Sequence, residues 1–219
     1  MAKYQIPKDF ITGFDVLAKL SVEDVQRIVT AIEKIPVGEG PTTFAEILSQ
    51  QVQIDNIKPL SKTVYSFGSL LNAHKGDESE LIRDIVESYS EVCSEELTSK
   101  QTEYLAKNIA VVFRGGDNLK LTFKAINLLL ENERVYKNCR ILTDIRLVFN
   151  DDLKNVNRYA VMQHQLKIDF EENGDNYSFF FSLDNKDLKK LRDQLDRALD
   201  KGKIIVEDYS NIKFIEITD

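Results

Sequence analysis

Two histidines, two cysteines and one crowded acidic turn are the places where this sequence could do chemistry. A histidine works as a general base only when a partner orients it, and a nucleophile must lie within hydrogen-bond reach of it. His74 stands in the polar run His74-Lys75-Gly76-Asp77, and His164 opens an alternating segment; no serine or cysteine nucleophile signature accompanies either. They are expected to be a solvated loop histidine and a strand-edge histidine. Cys93 ends a helical apolar stripe with nothing cationic beside it to activate its thiol, so it reads as a core residue. With Cys139 it makes a pair too small for a disulfide framework, and the histidines are too scattered to complete a zinc pattern.

Asp169, Glu171, Glu172 and Asp175 crowd one turn, and calcium does need several oxygens converging on a point. The spaced ligand loop with a terminal glutamate is missing, so a solvated turn is expected. Arg114-Gly115-Gly116-Asp117 could offer backbone amides to a phosphate, but a phosphate loop follows a strand and opens a helix, whereas here a helix precedes it. Helix termination accounts for the glycines. Lys186, Lys189, Lys190, Arg192, Arg197, Lys201 and Lys203 are interleaved with Asp187, Asp193, Asp196 and Asp200, the pattern of a solvated face with intrahelical pairs. No catalytic residue, cofactor or metal is assigned on these grounds.

The elements that would carry these residues fall into two regimes. At 219 residues and 42% hydrophobic content the chain can bury a real core. Helical spacing of apolar residues marks 9–20, 21–35 (capped by Ser21), 43–50 (capped by Thr42 or Thr43), 61–73, 77–93, a helix capped by Thr98 or Ser99 that runs to Phe113, and 119–136. After Lys137 the period drops to two. Segments 141–149, 163–170 and 177–183 alternate as half-buried strands, and Asn173-Gly174 between the last two is a hairpin signal, because both residues tolerate positive φ. A polar connection is expected over 151–157. Asp184 or Asn185 then caps a helix whose Leu188, Leu191, Leu195, Ala198 and Leu199 form one stripe, expected to pack on the sheet and to stop at Gly202. Segments 204–206 and 212–217 could add strands. The fold class expected is α+β: an N-terminal helical bundle over 1–137, then a three-stranded antiparallel sheet with a C-terminal helix over 138–219.

The formal charge is −7, from 29 Lys+Arg against 36 Asp+Glu, and both parts are mildly acidic. Nucleic-acid binding needs a broad basic face, which this balance does not supply. The opening MAKYQIPKDF places charges and a proline where a signal peptide needs an apolar run, and no stretch reaches the roughly 18 apolar residues of a membrane span. A cytoplasmic location without membrane insertion is expected.

The stretch from Leu142 to Leu199 resembles the COMM domain, the C-terminal module of a family of intracellular scaffold proteins that also carry a small helical domain. The likeness rests on the strands Leu142-Thr-Asp-Ile-Arg-Leu-Val-Phe149, Gln165-Leu-Lys-Ile-Asp-Phe170 and Ser178-Phe-Phe-Phe-Ser-Leu183, and on the helix Asp187-Leu-Lys-Lys-Leu-Arg-Asp-Gln-Leu195. The family's first strand usually carries a tryptophan near the place of Leu147, and this chain has none. The resemblance implies dimerisation, since family members interlock two modules around one core, and it carries over no catalytic residue. A helix on one face of a three-stranded sheet leaves Phe180 and Val148 on the other, to be covered by the bundle or by another chain.

The expectation is a non-enzymatic interaction or scaffold protein with protein partners, a homo- or hetero-oligomer whose contact surface draws on Leu147, Phe149, Phe170, Phe180, Leu191 and Leu195. The alternatives are an enzyme or regulatory subunit with a site of dispersed residues, or a dedicated partner of a bacterial defence or secretion system.

Overall fold

The computed structural model describes residues 4–93, 97–152 and 158–218. Among them the order of elements is α1 (Lys8–Leu17), α2 (Val22–Lys34), α3 (Pro41–Gln51), α4 (Ile57–Ala73), α5 (Glu78–Ser90), α6 (Ser99–Arg114), α7 (Asp117–Leu129), β1 (Arg134–Val148), β2 (Tyr159–Glu172), β3 (Asp175–Leu183) and α8 (Asn185–Asp208). The fold is α+β, with an antiparallel sheet in the order β1-β2-β3. The chain divides into two compact units. One is the module Leu130–Phe214; the other is the helical unit, formed by the residues before Leu130 together with the segment beginning at Ile215. Among the described residues no helix is long and apolar enough to cross a membrane.

Local chemistry starts several helices. The Ser21 side chain accepts from the Asp24 amide at 3.1 Å, and Thr98 forms a reciprocal capping box with Gln101. The core of the helical unit gathers around Phe67, whose ring lies 5.8 Å from Phe14 and 5.2 Å edge-on from Phe113. Tyr89 stacks on Phe14 and donates its hydroxyl to Asp15. Burial, and then that carboxylate, push the phenol well above its ordinary pKa, so it remains a donor.

Two helix ends are closed by asparagine amides from elsewhere in the unit, one buried (Asn108) and one half-buried (Asn118). Asn108 on α6 donates to the Leu17 carbonyl (2.9 Å) at the end of α1, and Asn118 on α7 donates to the carbonyls of Glu33 and Ile35 (3.2 and 3.0 Å) at the end of α2. The last carbonyls of a helix lack intrahelical partners, so each asparagine joins two helices while satisfying one of them. Asn108→Leu keeps the volume but strands the Leu17 carbonyl. It is expected to cost about 1–3 kcal/mol of helical-unit stability in urea unfolding; an unchanged midpoint would mean the carbonyl has another partner.

Several boundaries correct the expectations from sequence. The helix expected over 119–136 ends at Leu129, and Val135 and Tyr136 belong to β1, opposite Glu171 and Phe170. Pairing along the full length of β2 outweighs their weak helical period. Residue α3 starts are set by Pro41 at the first position rather than by a threonine cap, since proline needs no partner for a missing N–H there. For the same reason α4 tolerates Pro59 in its first turn and begins at Ile57, not at residue 61. The helix expected to stop at Gly202 runs on to Asp208, so 204–206 is helical, and 212–217 forms no strand. The connection expected over 151–157 lies mostly outside the described residues.

Candidate interaction surface

In the module, the turn fixes everything downstream. Asn173 and Gly174 have φ of 54° and 87°, the left-handed pair a tight hairpin needs, and they set β2 against β3 with Phe170 opposite Tyr177, Ile168 opposite Phe179 and Leu166 opposite Phe181. On the other side of β2, Cys139 faces Ile168, Ile141 faces Leu166, Ile145 faces Met162 and Leu147 faces Ala160. Directly opposed residues share a face, so all of these side chains project to one side. A register shift between Tyr136 and Asn138 absorbs Lys137 and returns Tyr136 to that same side. The opposite side carries Arg140, Lys167 and Phe180, Asp169 with Ser178, and Gln163 hydrogen-bonded to Ser182.

The apolar face is closed at its hairpin end and open elsewhere. Phe170 is buried, with its ring 4.9 Å from Phe179 and 5.7 Å from Tyr177. The Arg134 guanidinium lies 5.5 Å from the Phe170 ring and 3.3 Å from the Glu172 carboxylate. Further along, Ile145, Leu147, Phe179 and Phe181 are all exposed, Ile145 to 69%. Among the described residues Phe170 is the only buried hydrophobic side chain of the module.

Helix α8 starts where expected, with Asp184 in a capping box with Asp187; the backbone amide of Asp187 foremost holds the Asp184 carboxyl below its usual range. Its leucines were expected to pack on the sheet, and they do not: no residue of α8 is buried. The stripe is longer than the sequence suggested. Leu188, Leu191, Leu195, Ala198, Gly202 and Ile205 follow alternating steps of three and four, so Gly202 sits inside the stripe at the cost of one side chain. Leu195, Leu199 and Ile205 are exposed.

His164 corrects a second expectation, for it is buried mid-strand rather than solvated at a strand edge. Its Nδ1 lies 2.9 Å from the Thr143 hydroxyl and its Nε2 lies 3.0 Å from Asn185 Oδ1. An amide oxygen only accepts, so Nε2 carries the proton and Thr143 donates to Nδ1. The imidazole thereby fastens the first residue of α8 to the middle of the sheet and sets the direction in which the helix leaves. His74 lies in its loop as expected, with Nε2 3.0 Å from the Asp77 carbonyl.

The acidic turn is paired rather than convergent: Asp169 with Lys167 at 2.5 Å, Glu171 with Lys137 at 2.6 Å and Glu172 with Arg134. Lys167 first, then Ser178, lowers the Asp169 pKa. Among the described residues no group of three or more His, Cys, Asp or Glu is placed to share a metal ion. On the helical unit a groove of about 730 Å³ runs between α5 and α6, lined by Ile82, Val86, Ala106 and Ala110 with Arg83, Glu87 and Glu103 among its polar residues.

The six residues expected at the contact surface thus occupy different settings. Leu147 lies on the open apolar face, and Leu191 and Leu195 lie on the bare stripe. Phe149 follows β1 beneath the Arg158 guanidinium (5.1 Å), Phe170 is buried at the closed end, and Phe180 is exposed on the opposite side. Ile145, Phe179 and Phe181 were missed, although their parity with Leu147 and Phe170 was present in the alternation. No family model matches the chain, and no curated protein matches it.

Proposed function

We propose that this is a non-enzymatic interaction protein that self-associates through its module, with α8 of one copy laid on the apolar sheet face of another, and that presents its helical unit to other proteins. The carrying observation is that one unit holds two complementary apolar surfaces, the sheet face from Ile141 to Phe181 and the α8 stripe, which do not cover each other. Exposed patches beyond a few hundred Å² mark association surfaces. One buried hydrophobic side chain is also far too little to offset the ordering of a sheet and a long helix. Reciprocal exchange of helices between two copies covers both surfaces at once, in a closed two-fold arrangement. The resemblance to the COMM domain implies the same kind of interlocking.

Sedimentation equilibrium of the full chain from about 1 to 100 μM, at or above the dissociation constants usual for interfaces of standard size, tests this directly. A species of twice the chain mass is expected across most of that range. Strictly monomeric behaviour at the upper end would sink the proposal.

A further inference from the structure

We propose that the loop between α2 and α3 is a docking cradle for an extended peptide bearing a hydroxyl residue, and that residues 215–218 of this chain occupy it as a releasable strap. The inference is independent of self-association.

The cradle is built from the helical unit alone. Gly38 has φ +104°, and its amide donates to the Thr122 hydroxyl (2.9 Å), which in turn donates to the Asn118 carbonyl (2.9 Å). The Glu39 carbonyl accepts from the Tyr65 hydroxyl (2.9 Å), and its carboxylate accepts from Thr43 (3.0 Å). Helices α3, α4 and α7 therefore hold the loop whether or not anything lies on it. Two acceptors remain directed at an incoming chain, the Gly38 carbonyl and the Glu39 carboxylate.

The strap takes both. Thr218 donates its amide to the Gly38 carbonyl (3.0 Å) and its hydroxyl to Glu39 Oε2 (2.8 Å). The approach is close enough that a Cβ on Gly38 would fall 2.2 Å from the Glu216 carbonyl oxygen and 2.8 Å from Ile215 Cγ2. Glycine is thus required twice, for the positive φ and for the space. Along its length the strap is mostly exposed, with Ile217 half-buried. A segment with few buried contacts opens at low cost while its receptor stays formed. Strap and cradle belong to one compact unit of the same chain, so the strap returns as an intramolecular ligand at an effective concentration on the order of millimolar. The cradle is masked in the resting chain and opens to a competing extended peptide when the strap lifts.

The test compares three full-length chains with a fluorescent synthetic peptide covering residues 211–218. Thr218→Pro removes both donors of the strap without touching a core residue, and is expected to bind the peptide at least about tenfold more tightly than the parent chain, whose own strap competes. Glu39→Ala, placed on the Thr218→Pro background, keeps the loop backbone and is expected to weaken that binding about tenfold, the worth of one charge-assisted hydrogen bond. In the parent chain, hydrogen exchange at the Thr218 amide is expected to be slowed relative to an unstructured peptide. Equal peptide binding by parent and Thr218→Pro, no binding by either at millimolar peptide, insensitivity to Glu39→Ala, or unprotected exchange at Thr218 would each overturn the proposal. The self-association measured by sedimentation is a separate readout, so failure of one leaves the other standing.

Discussion

The double variant Leu191→Asp/Leu195→Asp is expected to stay folded and to sediment as a monomer at concentrations where the parent chain is dimeric. Neither leucine is buried within the chain, at 36% and 58% exposed, so their loss removes little from the fold of one copy. Between copies the accounting differs. Covering a leucine contributes about 1.5–3 kcal/mol, and a symmetric pair covers each position twice, so the variant forfeits roughly 6–12 kcal/mol before the cost of placing carboxylates against the sheet. Even the lower figure raises the dissociation constant by about four orders of magnitude. Sedimentation equilibrium supplies the mass and far-UV circular dichroism confirms that α8 persists. A variant that associates like the parent would mean the contact lies away from the stripe. The two sheet faces separate in the same assay: Phe179→Ser, on the apolar face, is expected to weaken association more than Phe180→Ser on the opposite face.

How much of this was legible beforehand depends on how local the deciding interaction is. Ser21, Thr98 and Asp184 act on amides two or three residues away, and Asn173-Gly174 needs only its own φ angles, so the Ser21 cap and the hairpin were readable from composition and spacing, and the other two caps to within one residue. Val135 and Tyr136 were not, because what makes them strand is the far end of β2, more than thirty positions on. Gly202 was misread as a stop since a lone glycine costs a helix only about 1 kcal/mol, which a continuous apolar stripe on either side can outweigh. His164 was placed at a strand edge because its partners, Thr143 and Asn185, are each twenty-one residues away, in opposite directions along the chain. Of the candidate surface, the alternation made the apolar face readable. That α8 would leave it bare was not, since amphipathic helix and amphipathic sheet look alike in sequence whether they meet within one chain or between two.

Phe67→Ala is expected to lower the stability of the helical unit by about 4 kcal/mol while leaving self-association intact. The ring is 1% exposed and touches both Phe14 and Phe113, so its removal loses the transfer free energy, two aromatic contacts and the packing around the space left behind. Collapse into that space is resisted because α6 is already tied to the C-terminal end of α1 by Asn108 and by Tyr104, whose hydroxyl donates to the Leu20 carbonyl at 2.8 Å, and α4 is tied to α1 by the Thr63 hydroxyl, which donates to the Phe10 carbonyl at 3.2 Å. For a unit of this size the loss corresponds to a fall of about 15 °C in melting temperature, a large share of a typical domain's margin. The module shares none of those core side chains, since the buried cluster that includes Phe67 lies wholly in the helical unit. At a temperature where the variant's helical unit is still folded, its dimer dissociation constant should match the parent's. Calorimetry on parent and variant, paired with sedimentation, checks both halves. A variant that loses association along with its helical core would show that the apolar sheet face depends on the helical unit, and would move the contact surface there.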